Sequence, residues 1–394
     1  MTGRPSDSGA TERPPDIPFL RPAPPRLSEL VDQLRAIEDS GIFTNFGPVN
    51  TRLEAAMTER IFGGVGGCLT VGNATLGLML AIRHAAGEGA PGRYALMPSF
   101  TFAATAQAAI WAGLTPLLCD IEPDTWLPSA AEEEALLARY GAHIAVVVPY
   151  ATFGNCLDLD RYARLARQYG VGIVVDAAAS LGALDAEGRG FGAGFPHPVV
   201  YSMHATKTFA TAEAGLIHCG DPATLAALRA MANFGFGAPR TATMPGLNAK
   251  LSEIGALLAL ARLDGFEHVV AHREQLMERY RQNLPGWEFQ RLIGRRHAHQ
   301  FVPVLLPPDA GRSRAEVLAA LAREGIGTAH YFSPHLAEQP YFRRRCRVAR
   351  LDVTERLAAR ILSLPLADAM ATDEVDRVCM ALREAVAARS VTAA

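Results

Sequence analysis

Short apolar runs alternate with amphipathic stretches through the first two thirds of the chain. The runs at 94–97, 116–119, 144–148, 172–175, 199–202 and 216–218 hold too few polar residues for a wet face, so each predicts a strand buried on both sides. Between most of them, apolar positions recur at helical spacing. Leu159, Tyr162, Leu165 and Tyr169 are one such set, stopped by Gly170. Strands of this kind alternating with helices predict an α/β fold, a mainly parallel sheet covered on both faces. Ligands in such sheets sit beyond the carboxyl ends of the strands, so chemistry is expected just after each apolar run.

The flanks read differently. Residues 1–26 hold seven prolines and few anchors, Ile17, Phe19 and Leu20 among them, and predict an extended arm. A helical pattern then starts at Leu27 and runs through Leu30, Val31, Leu34 and Ile37 to Gly41. From Ser252 to about Leu284 one long helical stretch leads away from the sheet. Beyond Pro285 the order becomes a strand at 301–306, a helix opened by the capping box Ser313 to Glu316, a loop and two more helices. The expected division is an arm at 1–26, a large domain at 27–265, and a linking helix with a small α+β domain at 266–394.

Composition narrows the function. A net charge of −2 with 20% charged residues offers no basic field for nucleic acid; Arg343, Arg344, Arg345 and Arg347 form one local cluster, read as a solvated loop. The six cysteines show no paired or metal-ligand spacing and read as reduced, mostly buried thiols. No apolar run approaches the ~18 residues of a membrane span, and the N-terminus lacks the basic-then-apolar order of a secretion signal, so the cytoplasm is the expected compartment. Of 38 basic residues only Lys207 and Lys250 are lysine. Lysine can lose its proton when desolvated and attack a carbonyl, which arginine cannot, so Schiff-base chemistry is one hypothesis and two ordinary surface ammonium groups the other.

The strand ends bear on that choice. Gly72, Asn73, Ala74 and Thr75 precede an apolar helix, where free backbone N–H groups form either a phosphate cup or an ordinary cap. Phe102 follows the run at 94–97, as a core aromatic or as the cover of a flat cofactor. Asp176 ends the run at 172–175, where a buried carboxylate needs a cationic partner: a side chain or a pyridinium nitrogen. Lys207 follows Ser202 at the end of the run at 199–202. A phosphate cup, a covering ring, an acid for a ring nitrogen and a lysine for an aldehyde are together the handles of pyridoxal 5'-phosphate.

With these residues in place the chain resembles the DegT/DnrJ/EryC1/StrS family of pyridoxal-phosphate-dependent sugar aminotransferases, from about Gly47 to the C-terminus. The matching segments are GNATLGL (72–78), PSFTFAATAQAAIWAGLTPLLCDIEPDTW (98–126), DAAASLGA (176–183), YSMHATKTFATAEAGLI (201–217), GLNAKLSE (246–253) and LSLPL (362–366). The resemblance implies fold type I, the aspartate aminotransferase-like architecture. It implies Lys207 as the Schiff-base lysine, Asp176 as partner of the pyridine nitrogen, and Phe102 as the ring stacked on the cofactor. It further implies the Ala74 and Thr75 amides and the Ser202 hydroxyl on the phosphate, with Asn248 reaching the phosphate of a neighbouring subunit, so that a homodimer shares its sites. Lys207 separates the chain from the family's dehydratase branch, which carries His there.

Three departures stand out: Ala179 where Gln or His is usual, Lys250 where Arg is usual, and Ala214 in place of Gly. Candidate substrate contacts are His330, Tyr331 and His335. His204 is a candidate that either binds substrate or packs, and Glu213 is equally open. The implied activity is a ping-pong transamination that takes an amino group from a donor such as glutamate to a nucleotide-linked keto-deoxysugar. A cyclitol or other secondary-metabolite ketone is the nearest alternative, and a cofactor-binding sensor without turnover is a second.

Overall fold

The computed structural model describes residues 15–87 and 92–387; positions 1–14 of the expected arm and 388–394 of the expected small domain lie outside the described residues. Helix α1 (Val31–Ser40) starts later than the apolar pattern, because 27–29 form a separate 3-10 turn, and it stops at Gly41 as expected. Helix α2 (Pro48–Phe62) is capped from far along the chain. The Glu253 carboxylate accepts the Val49 and Asn50 amides at 2.8 and 2.9 Å, where the helix dipole favours negative charge.

The alternation then follows: β1 (Gly67–Val71), α3 (Ala74–Ala86), β2 (Tyr94–Pro98), α4 (Ala103–Trp111), β3 (Thr115–Cys119), α5 (Ala130–Tyr140), β4 (Ile144–Val147) and α6 (Leu159–Tyr169). Next come β5 (Gly172–Ile173), β6 (Val175–Asp176), β7 (Val199–Ser202), β8 (Gly215–Cys219) and α7 (Pro222–Met231). The run expected as one strand at 172–175 carries two short ladders, β5 on β4 and β6 on β7. Its amides alternate between neighbours. Val174 and Asp176 donate to Val147 and Pro149 on one side, Val175 and Ala177 to Pro198 and Val200 on the other. The two ladders thereby join β3-β2-β4 to β7-β8-β1 in one layer, parallel from β3 to β7, with β8 antiparallel to both neighbours.

Alternate residues of the strands feed opposite faces. Leu96, Val147 and Val199 belong to one buried cluster, and Ala95, Met97, Val146 and Val200 to another. Both faces are dry, as the absence of polar positions in the runs implies.

The long helix expected from Ser252 is broken. Helix α8 (Glu253–Asp264) ends at Gly265, whose amide turns back to Leu263, and α9 (Phe266–Asn283) starts at the next residue. Beyond it lie β9 (Glu288–Phe289), β10 (Val302–Leu305), α10 (Arg314–Arg323), β11 (Arg347–Val348), α11 (Asp352–Arg360), β12 (Ile361–Leu364) and α12 (Thr372–Ala387). The capping box on α10 forms as expected. Strands β12, β10 and β9 make an antiparallel sheet; β9 and β12 escape the apolar pattern because β9 has two residues and β12 continues a helix without a break. Its core is a separate cluster that includes Leu276, Val304, Leu321, Leu364 and Val378.

One connection ties this part to the large sheet and another to the arm. Arg347 and Val348 pair parallel to Leu117 and Leu118, so the arginine cluster, expected as a loop, supplies β11 at the edge of β3. Ile17 of the arm is buried in the C-terminal core, its amide donating to Gly325 and its carbonyl accepting from Gly327. Phe19 packs on Phe301 and Tyr331, with centroids 5.7 and 6.0 Å apart. No helix among the described residues is long and apolar enough to cross a membrane.

Candidate active site

Strand β6 delivers Asp176 into the interior at 2% exposure. Thr105, in the first turn of α4, donates its hydroxyl to Asp176 Oδ2 at 2.6 Å, and the Ala178 amide donates to Oδ1 at 3.1 Å. Thr101 Oγ1 stands 2.9 Å behind the Thr105 hydroxyl. Burial pushes the Asp176 pKa up, and the two hydrogen bonds with the Lys207 charge pull it back. Its hydrogen-bond partners are all neutral. A buried carboxylate so held has no cation in hydrogen-bond contact, and a protonated pyridine nitrogen would supply one, so the residues present fit pyridoxal 5'-phosphate.

Lys207 lies in the loop after β7, where its Nζ donates to Gln300 Oε1 at 3.1 Å. Burial lowers its pKa from 10.5 to about 8, against an upward pull from Asp176. The arm covers it: Arg21 and Pro22, with Arg273, Gln300 and Leu366, wall the small chamber that holds Lys207. The segment carrying Gln300 is held from α9, where Arg273 donates to the His299 and Gln300 carbonyls at 3.0 and 3.1 Å. Asp368 takes both Arg273 and Arg262 at 2.6 Å, and Arg262 also donates to the Thr208 carbonyl beside the lysine at 2.7 Å.

At the end of β1 the Asn73 side chain caps α3 by accepting the Leu76 amide at 3.0 Å. The Ala74 and Thr75 amides precede the first intrahelical donor, Gly77, and stand at the positive end of the helix dipole. Gly215 allows this turn to close on β8, since a Cβ there would sit 2.6 Å from the Ala74 nitrogen. Ser202 ends β7 at 7% exposure, its oxygen accepting the His204 amide at 3.3 Å, which leaves the hydroxyl proton to give. Ala179 is buried and offers no polar side-chain atom.

Phe102, the N-cap of α4, is 56% exposed at the mouth of a cleft of about 1520 Å³. His330 and Tyr331 line that cleft, and His330 Nδ1 lies 2.7 Å from the Ser333 carbonyl. His335 is not on this wall. It is 1% exposed, with Nδ1 2.9 Å from Ser99 Oγ, a packed position rather than the substrate contact expected. His204 is half exposed rather than packed; its Nδ1 lies 2.8 Å from Thr206 Oγ1 and its Nε2 3.5 Å from Glu213.

The second lysine has a different setting. Lys250 Nζ donates to Asn233 Oδ1 at 2.9 Å and to Asn248 Oδ1 at 2.7 Å, and stands 4.8 Å above the Phe234 ring. It fixes Asn248, which is exposed. Thr105, Gln300 and the arm at Lys207 are additions to the residues expected. Thr105 lies one turn beyond Phe102 in the segment 98–126 that carries the family resemblance; Gln300 ends an unremarkable polar stretch.

Comparison with known proteins identifies the family of the chain. A model of the DegT/DnrJ/EryC1/StrS aminotransferase family matches residues 26–383. Protein Rv3402c of Mycobacterium tuberculosis (strain ATCC 25618 / H37Rv) is 34% identical over 377 residues, covering 94% of this chain and 90% of the relative. A Bacillus cereus ATCC 10987 structure, described as a PLP-dependent aminotransferase, shares 37% identity at a TM-score of 0.88, over 93% of this chain and 99% of its own. DesI, solved in the presence of its TDP-sugar product, shares 34% identity at 0.84, over 96% and 95%.

Proposed function

Because the chain belongs to the DegT/DnrJ/EryC1/StrS aminotransferase family, whose solved relatives are PLP-dependent aminotransferases, we propose that it moves an amino group from a donor such as glutamate to the keto group of a nucleotide-linked keto-deoxysugar. The observation that carries the reading is the pairing in one buried site of Lys207, with a pKa lowered to about 8, and Asp176, whose carboxylate has only neutral hydrogen-bond partners. The likeness to DesI and its TDP-sugar product supports the substrate class.

When bound, the cofactor supplies an aldehyde that carries the amino group and a ring that accepts an electron pair. Lys207 holds that aldehyde at rest. Its neutral Nζ would serve as the base for the proton on the donor's α-carbon and would hold that proton for return. Asp176 would keep a proton on the pyridine nitrogen, and Phe102 would cover the ring. The Ala74 and Thr75 amides and the Ser202 hydroxyl would hold the phosphate, with Asn248 of a second copy completing the cup in a homodimer. The keto acid leaves before the sugar ketone enters, and the same residues then work in reverse. His330 and Tyr331 face the incoming sugar. The setting is the cytoplasm, a reading that six unpaired thiols support.

The deciding experiment incubates the purified enzyme with glutamate and a panel of nucleotide-linked 3-keto and 4-keto deoxysugars, alongside cyclitol ketones. Amine product from a nucleotide sugar, with matching 2-oxoglutarate, is the expected result. Amination of cyclitol ketones alone would overturn the substrate class, and no keto acid with any acceptor would overturn glutamate as donor.

A further inference from the structure

Gln300 is 8% exposed and ends the segment that leads into β10, yet its side chain reaches across to the loop after β7 to accept a hydrogen bond from Lys207 Nζ at 3.1 Å. Its backbone is pinned. Arg273 holds the carbonyls of His299 and Gln300, and the Thr208 hydroxyl donates to the carbonyls of Ala298 and His299 at 3.3 and 3.1 Å. Asp368, between Arg273 and Arg262, links that clamp to the Thr208 carbonyl, next to the lysine itself. The acceptor and the amine are thus fixed from both sides by one network of side chains.

We propose that Gln300 is a positioning residue for the Lys207 amine: its amide oxygen is a neutral acceptor that aims the nitrogen while leaving it free to exist without its proton. The inference rests on Lys207 being the working amine of the proposed transamination. Between its two tasks that amine must stay in place and stay basic. A carboxylate at position 300 would hold it as firmly but would favour the ammonium form, whereas an apolar side chain would not hold it at all.

The other charged and titratable groups around Lys207 do not duplicate this contact. Asp176 is the charge that acts on it, and it is engaged by Thr105 and Ala178. Arg21 on the arm pairs with Glu374, while Arg262 and Arg273 pair with Asp368. His204 pairs with Glu213 on the loop, and burial drives His299 down to about 3, which keeps it neutral.

The sequence itself provides the probe. With Lys207 and Lys250 its only lysines, the full-length chain labelled with 13C at the lysine ε-carbon gives two signals, which can be titrated without cofactor and checked again after loading with pyridoxal phosphate. Wild-type Lys207 is expected to titrate near 8. Gln300→Glu should raise that midpoint by about one unit, a tenfold loss of free amine at a fixed pH below it. Gln300→Leu should not raise it, and should slow capture of pyridoxal phosphate at a pH where the amine is neutral. The Lys250 signal reports that the fold is intact. An unmoved Lys207 midpoint in Gln300→Glu, with Lys250 unchanged, would overturn the inference. Borohydride reduction of the loaded wild type and mapping of the adduct tests the underlying reading separately, since an adduct on Lys250 would remove Lys207 from the reaction whatever Gln300 does to its titration.

Discussion

Thr105 Oγ1 lies 2.6 Å from Asp176 Oδ2, the closer of the two hydrogen bonds that hold this buried carboxylate. Hydrogen bonds to a charged group are worth ~1.5–3 kcal/mol, so Thr105→Val should cost on the order of tenfold or more in kcat or cofactor affinity, and Thr105→Ser should retain most of both. Steady-state kinetics with fluorescence titration of cofactor binding would check this. A fully active Thr105→Val would mean that Ala178 alone suffices.

Asp176→Asn removes the charge while keeping the shape. Removal of one partner from a buried charge pair typically costs about 3–5 kcal/mol, so kcat should fall by on the order of a hundredfold or more with folding preserved. Circular dichroism and single-turnover kinetics separate the two effects.

Lys207 has a pKa of about 8 when folded, against an ordinary 10.5. Between those values the unfolded chain keeps a proton that the folded one has released, so stability rises with pH across this window. The burial cost of the ammonium is at its full size below about 8. In cofactor-free protein, Lys207→Met should therefore be more stable than wild type near neutrality by on the order of 2 kcal/mol, and the gap should close as pH rises toward 10.5. Paired urea melts at several pH values measure it. A gap that does not change with pH would show that the amine titrates normally.

The lysines should separate cleanly under borohydride. Lys207→Ala should abolish the covalent adduct, while Lys250→Arg should keep it. Lys250→Met, which releases Asn233 and Asn248, should weaken cofactor retention by about tenfold without removing the adduct. Intact mass before and after reduction, together with dialysis against cofactor-free buffer, reads both effects.

If Asn248 serves the site of a second copy, a Lys207→Ala chain and an Asn248→Ala chain should rescue one another. In a statistical mixture of refolded dimers, about a quarter of wild-type activity should return, because half the dimers then carry one intact site. Absence of any gain on mixing would place Asn248 within its own subunit's site.

The large sheet was legible because its strands are dry on both faces, which leaves runs such as 144–148 with no polar position at all. The same rule missed β12, whose four residues follow α11 without a break, and it read α8 and α9 as one helix because the apolar spacing continues across Gly265. Asp176 and Lys207 could be found because one ends a strand and the other lies in the loop just after one, places fixed by local order. Gln300 could not, since its nearness to Lys207 depends on how α9, through Arg273, seats a segment more than ninety residues away in sequence. His335 shows the converse: a histidine beside cleft residues in the chain is turned inward by its bond to Ser99.

The docking of Ile17 against Ile326 sets an order of events during synthesis. The arm leaves the ribosome first, but the carbonyl of Gly325 and the amide of Gly327 that receive it are made only when most of the chain has already emerged. Until then the cover over Lys207 cannot be fastened, so contacts of the longest sequence separation must come last. A nascent chain stopped at the end of α9 would carry β1 to β8, Asp176 and Lys207, and still lack both Gln300 beside that lysine and the seat for the strap that shuts its chamber.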